Sequence, residues 1–212
     1  KDSNELSSSP GWSEFRYAWW KILQEGKDQL RQRMAYALSQ ILVISDNSDL
    51  SGQGFALSSY YDLLSKHAFG NYKNLLKDIA LHPSMGFYLS HLNNPKAIPE
   101  ENIHPDQNFA REIMQLFSIG LYQLNVDGTR KKDSQGKDIP TYTNNDIAEL
   151  SKVFTGLGIS ATVHPDDDLY FGRGIWESDM TKPMKMYPDW HEPGTKRLPN
   201  GQIIPAGQDG MK

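Results

Sequence analysis

Apolar residues recur at helical spacing through most of the first half of the chain, and this periodicity limits the fold more than any other feature. Trp12, Phe15, Trp19, Ile22 and Leu23 mark a first helix between the breaker Ser7-Ser8-Ser9-Pro10-Gly11 and Gly26. Leu30, Met34, Ala37, Leu38, Ile41 and Leu42 form one broad apolar face on a second. It opens near Asp28 and is stopped by Asp46-Asn47-Ser48-Asp49. So short a link predicts antiparallel packing of the two. Leu57, Tyr60, Tyr61 and Leu64 mark a third helix ending at Gly70, and Tyr72, Leu75, Leu76 and Ile79 a fourth. Pro83 suits the first turn of a short fifth helix carrying Phe87, Tyr88 and Leu89, because its missing N–H would have had no partner there.

A loop with Pro95, Pro99 and Pro105 leads to a central helix over 106–119, with Asp106 as cap and Gly120 as stop. Leu121–Thr129 and Lys137–Thr143 read as a polar β-hairpin around Asp127-Gly128 and Gln135-Gly136. Thr143 and Asp146 have the spacing of a capping box, with Asp replacing the usual Glu, ahead of a final helix through Ile147, Leu150, Val153, Phe154 and Leu157. Beyond Gly158 the periodicity ends, with short strands expected near 169–171 and 203–204 and no internal repeat. The expected class is mainly α: an irregular multi-helical core over 1–158 that includes the hairpin 121–143. Residues 159–212 are expected to form a loop-rich C-terminal segment of the same domain, continuing into further chain.

Composition narrows the function classes. The net charge of −4 and pI near 5.9 argue against nucleic-acid binding, which needs a concentrated Lys/Arg surface. The one basic run, Arg130-Lys131-Lys132, is followed at once by Asp133 and reads as a solvated turn. The chain has no cysteine, which excludes disulfides, thiolate metal sites and Cys nucleophiles. No stretch approaches the ~18 apolar residues of a membrane span. Lys1-Asp2-Ser3-Asn4 and Gly207-Gln208-Asp209-Gly210 read as cuts within a longer protein.

The segment Asn108-Phe109-Ala110-Arg111-Glu112-Ile113-Met114-Gln115-Leu116-Phe117-Ser118-Ile119-Gly120 resembles the signature helix of the bacterial domain of unknown function 1800 family. The resemblance continues through Tyr142–Ile147, Phe154-Thr155-Gly156, Pro183-Met184, His191, Lys196 and Asn200–Gly207, and is looser over 28–92. Many members carry a Trp- and His-containing stretch where this chain has Leu38–Ser45, so no role for that histidine transfers. Members are long, usually exported and without an established activity. The resemblance therefore implies a periplasmic or extracellular protein whose remaining C-terminal part is helical.

Candidate chemistry centres on the same helix. Asn108, Arg111, Glu112 and Gln115 fall at i, i+3, i+4 and i+7 and so share one polar stripe. Arg111 and Glu112 could act as anion clamp and general base, or form a buried charge network that orients neighbouring loops. No nucleophile or second carboxylate accompanies them at a diagnostic spacing, which favours the structural role. The histidines are scattered, and none forms H-E-x-x-H. A loop-assembled divalent-metal site from His104, His191 and Glu112 is the catalytic alternative, Glu112 serving as ligand or base. Asp166 and Asp168 in the run Asp166-Asp167-Asp168 offer hard oxygen ligands, although their spacing is not that of an EF-hand. Trp176 and Trp190 could stack on sugar rings or anchor a protein. Gly156-x-Gly158 and Gly172-Arg173-Gly174 lack the flanking elements of a nucleotide loop. The leading expectation is an exported protein that works by binding or assembly with a co-exported partner. A metal-assisted hydrolase and a carbohydrate-binding surface stand as alternatives.

Overall fold

The computed structural model describes residues 11–160, 171, 172, 174, 175 and 178–207. The described chain is mainly α and forms two compact units, Lys1–Tyr88 with Ile159–Lys185 and Leu89–Gly158 with Met186–Lys212. Ile159–Lys185 groups with the first unit and Met186–Lys212 with the second.

The first unit contains helices α1 (Trp12–Glu25), α2 (Gln29–Ser39), α3 (Gly54–Lys66), α4 (Tyr72–Leu81) and α5 (Pro83–Tyr88). Its core is Ala35, Leu42, Leu50, Leu57, Tyr60, Leu64, Leu75, Ile79 and Met85, gathered around α3. The Asn71 side chain caps α4 by accepting from the Lys73 N–H, and Pro83 opens α5 as its ring favours. Two expected faces differ from those observed. On α1 no residue is buried, and Phe15, Trp19 and Leu23 are only partly covered. Of the expected face on the second helix, Leu30 (69%), Met34, Ala37 and Ile41 (47%) are exposed, while Leu38 is partly covered and Leu42, past the end of α2, is buried. The inner side carries Gln32 and Ala35 instead. Arg31 holds this arrangement by donating to the Ser65 carbonyl at 2.9 Å and lying over the Phe69 ring. The small Ala35 lets α2 sit close against α3.

In the second unit, α6 (Asn108–Gln115) and α7 (Asn144–Ser151) pack together through Ala110, Met114 and Ile147. The central helix is shorter than 106–119. Asp106 lies before its cap, Gln107, and its carboxylate accepts the Asn108 N–H at 2.8 Å. After Gln115 the Ile119 and Gly120 N–H groups both turn back onto the Met114 carbonyl, and Gly120 takes the left-handed φ of 73° that ends the run. The capping box at α7 forms as the sequence implies. The Thr143 hydroxyl accepts from the Asp146 N–H, and the Asp146 carboxylate accepts from the Thr143 N–H.

The hairpin between α6 and α7 holds an extra pairing. Its three extended segments close on one another through a cycle of backbone bonds. Lys131 donates to Gln123 (2.8 Å), Ile139 to Lys131 (3.0 Å), and Gln123 to Ile139 (2.9 Å). The two intervening turns, Asn125–Thr129 and Asp133–Lys137, repeat one backbone pattern: the first residue donates to the fifth carbonyl, and the fourth, a glycine at positive φ, donates back to the first, Gly128 at 83° and Gly136 at 80°. Further on, the two-residue strands Lys196–Arg197 and Ile203–Ile204 pair antiparallel. The expected strand near 169–171 falls largely outside the described residues.

Candidate functional site

The polar stripe of α6 forms, but without the partners either reading requires. Arg111 and Glu112 are each half-buried, and neither side chain makes a hydrogen bond or an ion pair among the described residues. The Glu112 Oε2 atom is closed off from water with nothing to accept from. Asn108 reaches the Ser90 hydroxyl at 3.4 Å, and Gln115 accepts from the Tyr142 hydroxyl at 3.4 Å. Burial pushes the Tyr142 phenol up, against the pull of Arg111, while Glu112 pushes it the same way as burial. The opposite side of α6 is core: Phe109 stacks on His91 at 3.9 Å and meets Phe154 edge-on.

His104 is exposed in its loop, whereas His191 is buried with Nδ1 donating to the Thr155 carbonyl at 2.8 Å. Thr155 also accepts the Glu192 N–H through its hydroxyl, so this histidine belongs to a lattice of loop bonds. Among the described residues no three His, Asp or Glu side chains are grouped to hold a metal ion, so His104, His191 and Glu112 are not gathered as a ligand set. Asp166, Asp168 and Trp176 lie outside the described residues. Trp190 is half-buried at the end of the turn Pro188–Trp190, and its carbonyl accepts the Lys96 N–H.

The glycines at 156 and 158 serve packing. A Cβ on Gly156, whose φ is 78°, would meet the His191 nitrogen and the Tyr187 carbonyl at 2.8 Å. On Gly158 it would meet the Tyr187 ring at 2.7 Å. These two positions let the wholly buried Tyr187 lie against the chain.

Two further groupings escape motif reading. Ser59 and His82 stand with Oγ and Nε2 3.1 Å apart, the spacing of a nucleophile and its base. The other ring nitrogen accepts the Ser84 backbone N–H at 3.2 Å, so in the neutral ring the proton sits on Nε2 and points at Ser59. The Ser59 hydroxyl in turn donates to the Ala56 carbonyl at 3.0 Å. The pair therefore ties α3 to the start of α5, in the tautomer opposite to that of a general base.

The second grouping is a groove of about 470 Å3 in the first unit, the size of a small-molecule site. Phe15, Trp19, Trp20, Tyr60 and Tyr61 line it with Leu42, Val43, Ile44 and Leu57. Arg16 and Asp46 also line it, joined by a two-pronged ion pair whose Nη2–Oδ1 arm is 2.8 Å. Tyr60 is buried and satisfied, its hydroxyl donating to the Leu42 carbonyl at 2.7 Å. The Trp19 and Tyr61 rings meet edge-on at 5.5 Å, with the indole N–H and the phenol closed off from water beside each other. Burial pushes the Tyr61 phenol up, and the neighbouring indole N–H offsets this only in part. The signal for the groove lies in the doublets Trp19-Trp20 and Tyr60-Tyr61. Adjacent helical positions differ by about 100°, so a doublet spreads aromatic surface around the helix beyond one inward stripe.

Comparison with curated proteins and with solved structures finds no match. The model of the family described as protein of unknown function (DUF1800) matches residues 3–212. That match takes in the α6 stripe, the α7 capping box and the aromatic groove alike, and the chain belongs to the DUF1800 family.

Proposed function

We propose that the chain is part of an exported bacterial protein that works by binding, with the aromatic groove of the first unit as its recognition surface. One observation carries the reading. Helix α1 brings Trp12, Phe15, Tyr17, Trp19 and Trp20 to the unit, buries none of them, and forms one wall of the groove with Phe15, Trp19 and Trp20. Exposed aromatic surface of this kind is poorly solvated and is a common anchor in recognition. Export is implied by the family resemblance, and fractionation of cells producing the full-length protein tests it separately.

Binding is tested with the uncharged fluorophore 1-N-phenylnaphthylamine. The full chain is expected to enhance its emission saturably, and Trp20→Ala is expected to abolish the enhancement. Trp20 is 55% exposed, so its loss removes groove wall while leaving the core intact. Emission that does not saturate, or is unchanged by Trp20→Ala, removes the groove as the recognition surface.

A further inference from the structure

The apolar stripe of α2 has a periodicity that its own unit does not use. Leu30, Met34, Ala37 and Ile41 follow one another at steps of four, three and four residues, and all four are exposed. That alternation is the repeat of a helix-pairing seam, in which apolar side chains seat between those of a facing helix. Ile41 lies just past Ser39 but stays on the helical course, because the Leu42 N–H still donates four residues back, to the Leu38 carbonyl at 2.8 Å. Ala37 is the small member of the four and gives a facing side chain room at the middle of the stripe. The side of α2 turned to the core is a different face, carried by Gln32 and Ala35.

The charges beside the seam point to the kind of helix that fits it. Helix α2 carries Arg31 and Arg33 and no Asp or Glu. Arg31 is engaged within its unit, donating to the Ser65 carbonyl and standing 3.8 Å from Asp28. Arg33 is exposed, and its side chain makes no hydrogen bond or ion pair among the described residues. It falls next to Met34, at a flanking position from which paired helices exchange ion pairs. A second copy of the chain would present the same face, arginines without an acid, and so would bring no counter-charge.

We infer that the outer face of α2 docks an amphipathic helix of a partner protein whose apolar seam is flanked by Asp or Glu. Leu30, Met34 and Ile41 are the anchors, Ala37 is the opening between them, and Arg33 makes the ion pair. This surface is separate from the aromatic groove, which none of the four seam residues lines.

Two fluorescein-labelled synthetic peptides of about three heptads carry Ile and Leu along the seam and either Glu or Lys at the flanking positions. Their anisotropy is followed on titration with the full chain. The Glu peptide is expected to bind saturably, and the Lys peptide ~10-fold more weakly. Met34→Lys adds a positive charge to the face but removes an anchor, and is expected to weaken the Glu peptide ~10-fold. Arg33→Glu is expected to remove the preference for the Glu peptide. Both positions are exposed, and thermal melts check that the fold is kept. Trp20→Ala is expected to leave peptide binding unchanged, which separates this face from the groove. Loss of peptide binding in Trp20→Ala places the peptide in the groove and overturns the inference. Absence of saturable binding, equal binding of the two peptides, or tighter binding by Met34→Lys also overturns it. So does a dimer of the chain, seen by sedimentation velocity, that Met34→Lys dissociates.

Discussion

The backbone N–H of Ser84 donates to Nδ1 of His82 at 3.2 Å, and this bond fixes which nitrogen of the ring faces Ser59. The imidazole is buried against Tyr60, and burial lowers its pKa from 6.5 to about 4. The unfolded chain therefore binds a proton that the folded chain refuses between those two values. Stability is full above pH 6.5, falls as the pH drops through the window, and levels off below about 4. The loss is on the order of 3 kcal/mol. Asp78, held below its ordinary value by the bond to His67 against the opposing effect of burial, loses its own contribution at more acid pH. Urea unfolding from pH 4 to 7 of the native chain and of His82→Gln separates the two. The difference between them is expected to shrink as the pH falls, and a constant difference would mean that His82 does not titrate on unfolding.

Glu112 gives a prediction of opposite sign to the one a paired carboxylate would give. Its Oε2 is buried without a donor, and Arg111 beside it forms no ion pair. Glu112→Gln removes charge from a site that does not compensate it, and the amide can still occupy the same space. The melting temperature is expected to stay the same or rise, by up to about 1 kcal/mol of stability. A loss of several kcal/mol would reveal a buried charge network around Arg111.

Gly156 is required by both backbone and space. Its φ of 78° lies where side chains are strained, and a Cβ would press on the His191 nitrogen and the Tyr187 carbonyl, both main-chain atoms. Gly156→Ala is expected to cost about 2–4 kcal/mol and to loosen the loop bonds around Thr155 and Tyr187. Denaturant unfolding measures the first effect. Amide exchange at Tyr187, which donates to the Gly156 carbonyl at 2.8 Å, measures the second.

What the sequence made legible was mostly local. The capping box at Thr143 and Asp146, the proline start of α5 and the Gly turns at 128 and 136 each depend on a few neighbouring residues, and each is present. The stripe Asn108–Gln115 was legible too, because four positions on one helix fix their own relative direction. The groove, the Ser59–His82 bond and the glycine pocket around Tyr187 join residues far apart in sequence, and no spacing rule reaches across them. The three-way closure of the hairpin was hidden for another reason. Its turns share a backbone pattern while their side chains differ, Asn125-Val126-Asp127-Gly128-Thr129 against Asp133-Ser134-Gln135-Gly136-Lys137.

Helix α2 shows where periodicity misleads, and it can be tested directly. Leu30 and Met34 of its regular apolar stripe face outward, while Ala35, off that stripe, is completely buried. A pattern argument predicts that Leu30→Lys and Met34→Lys damage the fold and that a larger residue at 35 is tolerated. The structure predicts the reverse. Leu30→Lys, 69% exposed at the start, is expected to change stability by less than about 0.5 kcal/mol, and Met34→Lys by little more. Ala35→Leu must force extra carbons between α2 and its neighbours, at a cost of about 1–3 kcal/mol. Urea midpoints of the three single variants decide between the two. Destabilisation by both lysine variants, with Ala35→Leu neutral, would mean that α2 is turned the other way in the folded protein.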